Sequence, residues 1–84
     1  MNKKFIWTKR ENYKNALEFW EIRFGEGILP CSVYIQQNSL GYFIAVGSFK
    51  GFSKSFVGSN LEDVRKEAMG WVEKMLNQLK TKRR

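Results

Sequence analysis

The stretch Tyr42-Phe43-Ile44-Ala45-Val46-Gly47-Ser48-Phe49, followed by Lys50-Gly51 and Phe52-Ser53-Lys54-Ser55-Phe56-Val57, decides the fold. Residues 42–49 are rich in aromatic and β-branched side chains, which suit a pleated, half-buried surface. Lys50-Gly51 reads as a tight reversal. Residues 52–57 then alternate phenylalanine with polar residues, the period of a strand. Working upstream, Ser32–Gln37 contains Val33, Tyr34 and Ile35, and Asn38-Ser39-Leu40-Gly41 has turn chemistry. Three strands joined by short loops predict an antiparallel meander.

Downstream, Gly58-Ser59-Asn60 ends the sheet and opens a helix. Ser59 and Asn60 are both good N-caps, and Glu62 and Asp63 stand where the positive end of a helix dipole favours acids. Leu61, Val64, Ala68, Trp71, Val72, Met75 and Leu79 then recur at helical spacing. Gly70 interrupts this run, and its lack of a side chain suits close approach by another element. A stripe of this length must be buried against one face of the sheet.

The N-terminal quarter supports two readings. Residues 3–8 read as a short strand or ordered lead-in. Thr8 and Glu11 have capping-box spacing, and Tyr13, Ala16, Leu17, Trp20 and Phe24 share one helical stripe before Gly25. A strand competes over 16–24, where Ala16, Trp20, Ile22 and Phe24 share a face at period two, interrupted by Glu18. The helix is preferred for its cap and its Ala, Leu and Glu content. Gly25 to Pro30 is a loop. The expected fold class is therefore α+β. A three- to four-stranded antiparallel sheet packs on a long C-terminal helix, with a shorter N-terminal helix. Residues 1–80 form one domain with a basic lead-in, and 81–84 a frayed basic tail.

A chain of 84 residues supports one modest core, burying roughly 60–65% of its extended-chain surface. The lone cysteine, Cys31, excludes an intramolecular disulfide, and with no histidine to activate it reads as a small buried hydrophobe. No secretory signal or spanning segment is visible, so the expected location is cytoplasmic, with no membrane partner.

Absence of histidine also removes ordinary zinc sites and the Ser-His-Asp and Cys-His nucleophile arrangements. No glycine-rich phosphate loop with a Lys-Ser/Thr ending is present. The acids mostly lie on predicted helices near bases, as Glu62 does with Lys66, and do not cluster as a metal-dependent nuclease requires. The chain is expected not to be an enzyme and to carry no cofactor or metal.

The charge distribution points to a binding role. The net charge is +7, yet the acid-free ends hold Lys3, Lys4, Lys9, Arg10, Lys80, Lys82, Arg83 and Arg84. The body between is close to neutral. Such clusters attract polyanions by counterion release. No acid occurs between Gly27 and Leu61, where the bases are Lys50 and Lys54. If the helix covers one face, Tyr42, Phe49 and Phe52 with Lys50 and Lys54 could present a stacking surface on the other.

The expected function is a small nucleic-acid-binding accessory, with DNA or RNA as partner and a homodimer as an option. The alternative is a protein-binding inhibitor or adaptor of the kind phages and mobile elements direct against host defence. Such a protein would block a nucleic-acid-binding target, for example a nucleic-acid-guided nuclease, through its aromatic patch.

Overall fold

The computed structural model describes residues 6–22 and 31–81, with helix side chains described to residue 78. Its elements are β1 (Trp7–Lys9), β2 (Glu18–Ile22), β3 (Cys31–Gln37), β4 (Phe43–Phe49), β5 (Phe52–Gly58) and α1 (Leu61–Thr81). The five strands follow one another in a single antiparallel sheet, in sequence order. The fold is α+β, with α1 packed on one face.

The turn between β4 and β5 is the two-residue reversal expected from Lys50-Gly51. Lys50 has φ of 47° and Gly51 of 90°, both positive, as the hairpin turn matched to strand twist requires. It pairs Phe49 with Phe52, Gly47 with Lys54 and Ala45 with Phe56. Between β3 and β4, the Asn38 Oδ1 accepts the N–H of Leu40 at 2.9 Å and of Tyr42 at 3.0 Å, which fixes the loop.

Asn60 is the N-cap of α1. Its Oδ1 accepts the Asp63 N–H at 3.0 Å, and its carbonyl accepts the first helical bond, from Val64, at 3.2 Å. Val64, Ala68, Val72 and Leu76 then point down onto Cys31, Val33, Ile35, Ala45 and Phe49, forming the core with Ile22. Val33, Ile35, Val64 and Val72 are fully buried, each contributing about 1.5–3 kcal/mol relative to exposure.

Close approach occurs at Gly47, not at Gly70 as the sequence reading has it. A Cβ on Gly47 would lie 3.0 Å from Trp71 Cε3 and 3.2 Å from Val72 Cγ2, so the helix rests on bare backbone there. Gly70 is exposed and has open space around it.

Among the described residues, the expected N-terminal helix is not formed; Phe24 and Gly25, its expected end, lie outside them. Thr8 is not a cap but a strand residue opposite Glu21, and residues 18–22 form β2. The reason is tertiary. β3 offers a ladder to Glu18–Glu21, and alternation puts Ile22 in the core under α1 and Phe19 on the opposite face beneath Tyr13, two residues that fit the helical stripe badly. Glu18, which interrupts the apolar period, faces α1 and accepts a bidentate Arg65 pair, at 2.9 Å from Nε and 3.0 Å from Nη2.

Candidate nucleic-acid interface

Register divides the sheet residues between two faces. Lys9, Trp20, Val33, Gly47 and Lys54 stand in one row across all five strands on the helix side. Thr8, Glu21, Ser32, Ser48 and Ser53 form the neighbouring row on the open side. Beside it on that side run Phe19, Tyr34, Val46 and Ser55. The only charge on the described strand residues of the open face is Glu21, which pairs with Arg10.

This division corrects the expected aromatic platform. Phe49 is 5% exposed and belongs to the core. Phe52 is 65% exposed, but stands opposite Phe49 on the helix side, as does Lys54 opposite Gly47. Tyr42 is exposed just before β4, at the other end of that strand from Phe49. The structure therefore does not bring Tyr42, Phe49 and Phe52 onto one surface. Lys50 is exposed in the β4–β5 turn, and Lys54 Nζ lies 5.6 Å from the Phe56 ring centroid.

Of the basic ends, Lys9 is exposed on β1 with Nζ 5.9 Å from the Trp20 ring, and Arg10 follows it. Lys3, Lys4, Lys82, Arg83 and Arg84 lie outside the described residues, and Lys80 is described only as helix backbone. The elements these ends join do share one end of the sheet. β1 begins at Trp7, one step beyond the Thr8 row, and the Lys50 turn stands at the same end, two steps beyond the Ser48–Ser53 pair. The Trp7 indole donates to Glu73 at 2.7 Å, which fixes the later turns of α1 at that end.

An aromatic cluster that the sequence reading did not single out occupies the open face. The Tyr13 ring stacks on Phe19, with centroids 3.8 Å apart and planes 13° from parallel. Tyr34 meets both edge-on at 6.2 Å. Lys14 Nζ lies 5.4 Å from the Tyr13 centroid. The loop between β1 and β2 makes this possible by folding back over the sheet. Asn12 and Lys14, on either side of Tyr13, have φ of 55° and 49°. Asparagine tolerates that region, whereas lysine pays for it, and such strain collects at functional sites. The Leu17 N–H donates to the Ile35 carbonyl at 2.7 Å and closes the loop onto β3. The alternation of Tyr34 between Val33 and Ile35 was the available signal for one half of this cluster.

Two groups have shifted acidities. Hydrogen bonding from Arg65 holds the Glu18 carboxyl below its ordinary range, against partial burial that pushes the other way. Burial pushes the Cys31 thiol up, against the nearby charge of Lys50. Among the described residues, no group of three or more His, Cys, Asp or Glu comes together to hold a metal ion. No helix there is long and apolar enough to cross a membrane. Comparison with protein-family models, with curated proteins and with solved structures returned no match for this chain.

Proposed function

We propose that this chain binds single-stranded nucleic acid on the open face of its sheet, without catalysis. The observation that carries this reading is the Tyr13–Phe19–Tyr34 cluster, bracketed by two left-handed residues and flanked by Lys14. Unpaired bases stack on aromatic faces irrespective of sequence, and cations beside the rings meet the phosphates. The Thr8, Ser32 and Ser48 hydroxyls adjoin the cluster and offer donors, and the one acid of their row, Glu21, is paired with Arg10. The basic ends supply long-range attraction to the polyanion.

The test is fluorescence anisotropy with labelled dT and U 12-mers, and a duplex control, at 50 and 200 mM salt. Binding should fall steeply with salt and favour single strands over duplex. Tyr34→Ala should weaken it about tenfold, the loss of one stacked base, whereas Tyr34→Phe, which keeps the ring against Phe19 and Tyr13, should bind as the wild type does. Equal affinity of the wild type and Tyr34→Ala for both strands would refute the platform. Salt-independent binding would refute the phosphate contacts.

A further inference from the structure

The two edges of the sheet are unequal. β1 is three residues long, whereas β5 is seven, contains no proline and pairs residue for residue with β4 without a bulge. Short strands, prolines, bulges and edge lysines are the usual ways to blunt an edge against strand addition. Of these β5 has only a lysine, Lys54, which repels a like-charged strand and not an acidic one.

Which backbone groups are free follows from the turn. A two-residue hairpin closes on a hydrogen-bonded pair, here Phe49 and Phe52. Alternate residues Lys54, Phe56 and Gly58 therefore also spend their N–H and C=O groups on β4. The outward groups belong to Ser53, Ser55 and Val57, whose side chains are on the open face and exposed. The helix, on the other face, does not cover them. An incoming strand meets small side chains on one side and Phe52, Lys54 and Phe56 on the other.

Charge then selects the occupant. Lys54 stands mid-strand and Lys50 in the adjoining turn, and no acid occurs between Gly27 and Leu61. A second copy would bring another +7 chain and its own Lys54 to the same edge, and like charges across an interface disfavour the pairing. We propose that β5 accepts an extended acidic segment of a partner protein as a sixth strand. Main-chain hydrogen bonds to Ser53, Ser55 and Val57 hold it, and alternate carboxylates face Lys54 and Lys50. This surface is separate from the aromatic cluster, and either can be disproved without the other.

The probe is a pair of blocked ten-residue peptides of alternating Thr and Val, carrying either two Glu or two Lys at matched positions. Amide hydrogen exchange of the full chain is followed by NMR. The Glu peptide should slow exchange at Ser53, Ser55 and Val57, and bind more tightly than the Lys peptide by roughly two- to fivefold per ion pair. Lys54→Glu should reverse that preference. Ser55→Pro removes an outward donor and leaves the β4 ladder intact, so it should abolish the effect while the chain still unfolds cooperatively. Should that variant not fold, the Lys54→Glu reversal alone decides. No slowing, or equal slowing by both peptides, would overturn the proposal. So would protection in the free chain that grows with its own concentration, which assigns the edge to a second copy. Slowing of the same three amides by a dT 12-mer would overturn it in favour of nucleic acid.

Discussion

The helix holds the two halves of the sheet by different means. Over β3, β4 and β5 it interlocks, with Ala68, Trp71 and Val72 settled against the bare backbone of Gly47. Toward β1 and β2 only Ile22 enters the core; the other links are polar, Arg65 to Glu18 and Glu73 to Trp7, with Trp7 and Trp20 half-buried at the core's margin. Apolar interlock is non-directional and cooperative. A polar link depends on one geometry and on protonation. The first half should therefore unfold only globally, and the second should open on its own at lower cost.

The largest effect should come from breaking the interlocked half. Ile35→Ala, at a fully buried position under the helix, should cost about 3–4 kcal/mol in chemical denaturation, lowering the unfolding midpoint by every probe together. Gly47→Ala should cost about 2 kcal/mol, because its methyl would press on Trp71 and Val72, and Trp71 fluorescence should report the shifted helix.

The polar half should respond less, and locally. Glu18→Gln should cost about 1–2 kcal/mol by leaving Arg65 without its carboxylate. It should speed amide exchange in β1 and β2 while β3–β5 change little. The sign of the pH dependence follows from the lowered acidity constant of Glu18. Its contribution is fully present above the ordinary value of 4.5 and is lost as pH falls through the lower value of the folded chain. An acid titration of wild type against Glu18→Gln should converge at low pH. The smallest effect has the opposite sign. Gly70→Ala, in open space on the outer side of α1, should stabilise the chain by about 0.5–1 kcal/mol, measured by the same denaturation.

The same contrast explains what could be read from the sequence. Residues 42–57 and 61–76 carry their structure in local patterns, namely alternation, a two-residue turn, a cap and a helical stripe. Residues 8–22 satisfy two periods at once, and a strand wins only because β3, distant in sequence, lies beside it. Glu18 looked like an error in the strand pattern because its partner, Arg65, is 47 residues away. The candidate site was harder still. Its key contact, Tyr13 on Phe19, depends on left-handed backbone at Asn12 and Lys14; asparagine favours that region, but nothing about lysine announces it. Conversely, Phe49 looked like a surface ring until the hairpin register placed it under the helix.

Cys31 gives this molecule an internal reporter. As the lone thiol, 2% exposed where β3 begins in the core beneath α1, it is shielded from alkylating reagents while the helix is seated. The rate at which a maleimide consumes it therefore counts the openings of the interlocked half, without a label, an engineered probe or any knowledge of what the chain binds.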